Sequence, residues 1–288
     1  MAHEYDSPKM PREFVWRRLH SLTGLFLVLY LIEHLLVNSQ AALFFGDDGE
    51  GFVKAVNDIH NLPYLPFIEL GLLGVPILIH AYWGVQYLFT GEQNAYGHIG
   101  KKPYLPQYPR NKAYTWQRIT SWILLFLLAA HVIQMRFIDY PWKVRVNGDK
   151  EFFVKVTNDP GLTSLAERLH YQIVDGHSMP SHWSDQLQKS PLKENEKGII
   201  SKSFGMAELM MVRETFKSPF MIALYTIFVL SACFHAFNGL WTFMISWGIT
   251  LSQRSQLLMR WICNGLMAIV TFWGLAAIWG TYWINLRQ

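Results

Sequence analysis

The chain has 288 residues, 51% hydrophobic and 15% aromatic, with 16% charged and a formal net charge of +4. That small positive surplus is explained by membrane orientation, not by nucleic acid, and two cysteines exclude a disulfide-stapled scaffold. The apolar share alone does not separate a soluble domain from a membrane protein, but its distribution does.

The opening MAHEYDSPKMPREF is polar and lacks the apolar core of a cleavable signal, so the first span is expected to be permanent. Five runs follow that reach the roughly 20 apolar residues needed to cross a hydrocarbon core about 30 Å thick. They predict helices over 17–38, 65–90, 116–138, 219–247 and 258–285. Ile119–Met135, Ser218–Gln253 and Trp261–Leu286 hold no Asp, Glu, Lys or Arg, while spans I and II carry the single carboxylates Glu33 and Glu69. Prolines in NLPYLPF (61–67) and KSPF (217–220) mark the starts of helices II and IV. The Gly- and Pro-rich 91–112 reads as an irregular loop.

Lys9, Arg12, Arg17 and Arg18 precede span I; Lys101, Lys102, Arg110, Lys112 and Arg118 separate spans II and III; Arg254 and Arg260 separate IV and V. All three segments fall on one side of a five-span protein, which the positive-inside rule makes cytoplasmic. The N-terminus is then inside and the C-terminus outside, and the outer loop after span I carries Asp47, Asp48 and Glu50 against Lys54. The fold class expected is an all-α integral membrane protein whose first four spans form a bundle. Residues 1–138 hold the arm and spans I–III, 139–217 an outer insertion, and 218–288 spans IV and V. Within the insertion, EFFVKVT (151–157) alternates as a strand does, and TSLAERLHYQIV (163–174) has the pattern of an amphipathic helix.

Spans I to IV each contain one histidine: His34, His80, His131 and His235. One intramembrane histidine can simply hydrogen-bond to a neighbouring helix, but four, one per helix, need a common cause. At 1.5 Å per residue, His34 lies about 24 Å beyond Arg18 and His131 about 20 Å beyond Arg118, on helices running outward. His80 lies about 21 Å beyond Pro66 and His235 about 24 Å beyond Pro219, on helices running inward. The histidines therefore pair at two depths, His34 with His131 in the outer half and His80 with His235 in the inner half.

Two facing imidazoles in an apolar bundle suit the iron of haem b, giving two haems per chain. Zinc is a poorer fit, because two ligands per level do not make a tetrahedral site. The repeated HAYWG (80–84) and HAFNG (235–239) add a glycine one turn after each inner histidine; Gly84 and Gly239 leave room beside a porphyrin. Gly24 and Ala130 relieve crowding less specifically. RLHS (18–21) and RITS (118–121) place Arg18, His20, Ser21, Arg118 and Ser121 where inward haem propionates would find partners, although interfacial arginine anchoring accounts for the same pattern. Glu33 and Glu69 are candidates to serve a quinone or handle its protons. His170, His177 and His182, with Asp175 and Asp185, are metal candidates or scattered surface residues. Cys233 and Cys263 read as small packing residues.

REFVWRRLHSLTGLFLVLYLIEHLLVN, IHAYWGVQYLFTGEQN, RNKAYTWQRITSW…AAHVIQMRF and HAFNGLW resemble the cytochrome b (b558-type) subunit of bacterial succinate dehydrogenases, a single-subunit di-haem family shared with some fumarate reductases. The resemblance covers spans I to IV and the loop between II and III. It implies His34 and His131 as ligands of the outer haem and His80 and His235 of the inner one. It further implies an anchor in the bacterial cytoplasmic membrane for a flavoprotein and an iron–sulfur protein. Electrons would run from the iron–sulfur subunit through both haems to a quinone, menaquinone. Succinate is oxidised in the flavoprotein, so no residue here is expected to be catalytic for it. The long 139–217 segment departs from the family. The alternatives are the cytochrome b subunit of another quinone-linked dehydrogenase, for formate or hydrogen, and a transporter lined by the four histidines.

Overall fold

A computed structural model describes residues 10–43, 48–90, 107–176 and 178–287. The arm up to residue 9, Asp47, His177 and most of the expected 91–112 loop, with Lys101 and Lys102, lie outside the described residues. Helix α1 spans Arg12–Ser39 and α2 spans Glu50–His60. The next hydrophobic run comprises α3 (Leu65–Glu69), a π-helical turn (Leu70–Gly74) and α4 (Val75–Thr90). Helix α5 (Pro109–Ile133) also ends in a π-helical turn, Gln134–Ile138. Then come β1 (Trp142–Val146), β2 (Asp149–Thr157), α6 (Gly161–Leu169), β3 (Gln172–Val174), a 3-10 turn (Ser181–Trp183), α7 (Ser184–Lys189), β4 (Glu196–Ser201) and α8 (Phe204–Thr215). Helix α9 (Pro219–Ser246) precedes α10 (Gln253–Leu275), a third π-helical turn (Ala276–Gly280) and α11 (Thr281–Arg287).

Among the described residues, five helical runs are long and apolar enough to cross a membrane: Arg12–Ser39, Leu65–Tyr87, Pro109–Ile138, Pro219–Ser246 and Gln253–Asn285. The protein is a multi-pass, all-α membrane protein. Helices I, III and V begin earlier than hydropathy places them, because charged first turns continue the helix beyond the apolar stretch. Pro109, at the first helical position where its missing N–H costs nothing, opens α5 inside what was expected to be loop. The three π-turns have no counterpart in the sequence reading. In the second of them, Asp139 N donates to Gln134 O five residues back at 2.8 Å.

The insertion holds a four-stranded antiparallel sheet in the order β1-β2-β4-β3. Asn147 (φ 52°) and Gly148 (φ 95°) form the two-residue turn between β1 and β2, and such turns need positive φ at both positions. Strand β2 contains the expected 151–157 strand. Phe153, Val174, Trp183 and Ile200 make the sheet's core, with Trp142, Val144, Met179, Leu187 and Leu192 packed against it. The helix expected over 163–174 is a correction. It stops at Leu169, His170 turns left-handed (φ 54°), and Gln172–Val174 pairs with β4 instead. The β-branched Ile173 and Val174 gain more from the sheet than from another helical turn.

Helix α2, unforeseen in the outer loop, packs on α8, which is buried on nearly every face. Asn57 fastens the two: its Oδ1 accepts from Gly205 N at 2.8 Å and its Nδ2 donates to Ser203 Oγ at 2.9 Å. Ser203 in turn caps α8 by accepting from Met206 N at 3.2 Å.

The described residues gather into two compact units, one from those within 1–31, 66–122 and 234–266, the other from those within 32–65, 123–233 and 267–288.

Candidate functional site

In the first unit, His80 of α4 and His235 of α9 stand with ring centres 6.2 Å apart and planes at 79°. His80 Nδ1 lies 3.0 Å from the backbone oxygen of His20. A carbonyl only accepts, so Nδ1 carries the proton and Nε2 the lone pair. His235 Nδ1 lies 3.4 Å from Thr120 Oγ1, whose own proton goes to Trp116 O (2.8 Å) or Gln117 O (3.2 Å). Thr120 therefore accepts, and His235 too holds its proton on Nδ1. The backbone around His235 is clamped as well, with Gln117 Nε2 donating to His235 O at 3.1 Å and Asn238 Nδ2 to Gln117 Oε1 at 2.7 Å.

The ring of His20 stacks on His80 with centres 4.0 Å apart. A Cβ on Gly24 would lie 2.9 Å from His80 Cε1, so this glycine is required by the close approach of α1 to the ring. On Gly84 a Cβ would meet His20 Cε1 at 3.8 Å, and on Gly239 it would meet Gln117 Nε2 at 3.7 Å, both ordinary contacts. Packing within the protein thus explains Gly24 and does not explain Gly84 or Gly239. Two nitrogens here, His20 Nδ1 and Trp83 Nε1, are buried without a hydrogen-bond partner. A buried polar atom of that kind calls for a ligand group or a water.

In the second unit, His34 of α1 and His131 of α5 stand 6.0 Å apart with planes at 74°. Gln134 Nε2 donates to Asp139 Oδ2 at 3.0 Å, which turns the amide oxygen of Gln134 toward Tyr225. Tyr225 spends its one proton on that oxygen, at 3.2 Å. Its own oxygen, 3.1 Å from His131 Nδ1, can then only accept. His131 is the third histidine whose proton is fixed on Nδ1.

A metal ion held between the two rings of a pair, bonded at about 2.0 Å on each side with roughly 1.1 Å from nitrogen to ring centre, would set the centres about 6.2 Å apart, close to the distances observed. Two imidazoles hydrogen-bonded head to head would bring their centres to about 5 Å. Among the described residues no three or more His, Cys, Asp or Glu gather as a metal site, so each level offers a histidine pair.

The other sequence-named residues are placed as follows. Arg18 donates to Ser246 O and covers the ring of Trp247 at 5.1 Å, and Trp247 Nε1 donates to Ser21 Oγ at 2.8 Å. Arg118 donates to Tyr114 OH at 3.2 Å, and Ser121 Oγ to Arg118 O at 2.8 Å. Glu33 is exposed on α1, and Glu69 is half-buried at the end of α3. His182 pairs with Glu151 at 2.9 Å, Asp175 exchanges hydrogen bonds with Ser178, and His170 follows the end of α6; among the described residues these groups do not gather as a metal site.

Sequence reasoning did not single out Thr120, Gln117, Asn238, Tyr225, Gln134 or Asp139, and gave His20 only as a propionate partner. A usable signal was helical phase. His20 and His34 are fourteen residues apart, about 40° round the helix, and Thr120 and His131 are eleven apart, about 20°. One face of α1 and one of α5 thus serve both levels.

No family model matches the chain. It is 28% identical over 268 residues to the succinate dehydrogenase cytochrome b558 subunit of Bacillus subtilis (strain 168), covering 93% of this chain and 96% of that one. Similarity along nearly the whole of both chains supports the resemblance that the span motifs carry.

Proposed function

We propose that the chain is the cytochrome b anchor of a succinate dehydrogenase in a bacterial cytoplasmic membrane. His80 and His235 hold one b haem, and His34 and His131 a second. The chain carries electrons from an iron–sulfur subunit to a quinone, menaquinone by resemblance, while a flavoprotein oxidises succinate. Both partner subunits dock on the cytoplasmic face. The carrying observation is the proton placement: His80, His131 and His235 each turn Nδ1–H to an acceptor, which leaves Nε2 free to bind metal. When bound, the haems supply one-electron transfer.

The protein's own part is to present neutral imidazoles in fixed tautomers and to keep water away from them. At Gly84 and Gly239 a Cβ would meet protein only at ordinary contact distance, so the lack of a side chain there is consistent with room for a flat cofactor beside His80 and His235. Arg18, Ser21, Arg118 and Ser121 are our candidates to meet the propionates. His20 and Trp83 join them, because each has a buried nitrogen still to be satisfied. Glu33 and Glu69 are the candidates at the quinone.

A dithionite-reduced minus oxidised spectrum, with haem quantified per chain, tests the reading. Two b haems per chain are expected. Folded protein grown with ample haem and containing none would overturn it and turn attention to a histidine-lined transporter. Recovery with a formate or hydrogen dehydrogenase, in place of flavoprotein and iron–sulfur subunits, would reassign the complex.

A further inference from the structure

We propose that Tyr225, Gln134 and Asp139 form a directed hydrogen-bond chain that positions His131 and biases the redox equilibrium of the iron it holds toward the oxidised form. The inference rests on the two-haem reading above. The chain has four members, and every proton in it is assigned. His131 Nδ1–H donates to Tyr225 (3.1 Å), Tyr225 to Gln134 Oε1 (3.2 Å), and Gln134 Nε2 to Asp139 Oδ2 (3.0 Å). Each donor polarises the next, so the carboxylate at the far end draws the imidazole proton outward and enriches Nε2 in electron density. A more basic ligand favours the more positive metal.

The backbone is built for this chain. Residues five apart on an α-helix point about 140° from each other, so Gln134 and Asp139 would not meet on a regular helix. The π-helical turn Gln134–Ile138 changes that. Its wider i→i+5 step closes with Asp139 N on Gln134 O at 2.8 Å, and the two side chains come together. The contrast with the other pair is chemical. His80 ends its proton on the carbonyl of His20 and His235 on the hydroxyl of Thr120, neither of which carries a charge.

Two conservative variants separate the parts of the chain. Tyr225→Phe removes the acceptor for His131 and, with it, the donor to Gln134. Asp139→Asn keeps an oxygen for Gln134 and removes only the charge. Both are made in the full complex with its partner subunits, and both haems are titrated potentiometrically, the outer one identified by its loss in His131→Ala. Tyr225→Phe is expected to shift the outer haem's reduction equilibrium about tenfold toward the reduced form, about 59 mV for one electron. Asp139→Asn is expected to shift it the same way by a smaller factor. The inner haem should stay within twofold of the unaltered protein in both.

If Tyr225→Phe loses the outer haem, the positioning role stands, and Asp139→Asn decides the redox role. An Asp139→Asn protein with an unshifted outer haem overturns the charge-biased chain, as do equal shifts of the two haems. Absence of haem from the unaltered protein would instead remove the reading on which the chain rests, a result distinct from two haems with unmoved potentials.

Discussion

Replacing Gly24 by alanine separates crowding by protein from crowding by a cofactor. The new Cβ would stand 2.9 Å from His80 Cε1 and 3.2 Å from Nδ1. Carbon atoms rest at about 3.5–4.0 Å, so the ring must retreat by about 0.6 Å or more. It cannot do so freely, because His20 stacks on it at 4.0 Å and its Nδ1–H is held at 3.0 Å by His20 O. Forcing a methyl group into such a site costs about 1–3 kcal/mol. At 1.4 kcal/mol per decade, that is about 5- to 140-fold in the affinity of the inner haem. Gly84→Ala and Gly239→Ala behave differently, since their Cβ atoms would meet protein only at 3.8 and 3.7 Å. They are expected to leave the thermal unfolding of the haem-free protein within about 0.5 kcal/mol, yet to weaken haem binding. The assay is haem titration of haem-free protein in detergent, alongside its unfolding curve. Unaltered inner-haem affinity in Gly24→Ala would show that the ring is not held as described. Full haem affinity in Gly84→Ala and Gly239→Ala would refute the idea that these glycines make room for the cofactor.

Three further outcomes follow. His80→Ala or His235→Ala should remove one haem of the two, and His34→Ala or His131→Ala the other, read as half the haem per chain; full occupancy in any of them would break the pairing. Burial pushes the Glu208 carboxyl up to about 7, partly countered by Arg136, so the folded form binds a proton that the unfolded chain has released. Stability should therefore fall as pH rises from about 4.5 to about 7, by on the order of 3 kcal/mol, and Glu208→Gln should flatten that slope in unfolding curves at pH 5 and pH 8; an unchanged slope would count against the buried carboxyl. Asn57→Ala removes both hydrogen bonds between α2 and the start of α8, and should cost about 1–3 kcal/mol in chemical denaturation, whereas a neutral result would mean that water replaces the side chain.

The spans and the histidine pairs were legible because the bilayer imposes a length and a rise of 1.5 Å per residue converts position into depth. Pro219 starts α9 where its sequence signal places it. What escaped notice depends on choices hydropathy does not encode. A π-turn needs one extra residue in a helix and leaves no compositional mark, so Gln134 and Asp139 looked unrelated. In the insertion, the alternation of β2 was visible, and Asn147-Gly148 was a readable hairpin signal that went unused. The conversion of 172–174 into strand was decided by pairing with β4, whose nearest registered residue, Gly198 opposite Val174, is 24 positions further along the chain, and local pattern cannot foresee it. The acceptors of the histidine protons lie on other helices, and only helical phase along α1 and α5 hinted at them.

The three wide turns, Leu70–Gly74, Gln134–Ile138 and Ala276–Gly280, carry a lesson for anyone editing or aligning this chain. A one-residue deletion in a transmembrane segment ordinarily rotates everything beyond it by about 100°. At a π-turn the same deletion restores a regular helix, and the misfit is absorbed within a single turn. These are the places where a span can lose a residue and keep both of its ends in register with their neighbours, so a gap introduced there in a comparison of sequences is physically reasonable. Trimming one residue between Gln134 and Asp139 would leave His131 where it stands and make Gln134 and Asp139 neighbours four apart on a regular helix, so the hydrogen-bonded chain behind His131 could survive a change of length.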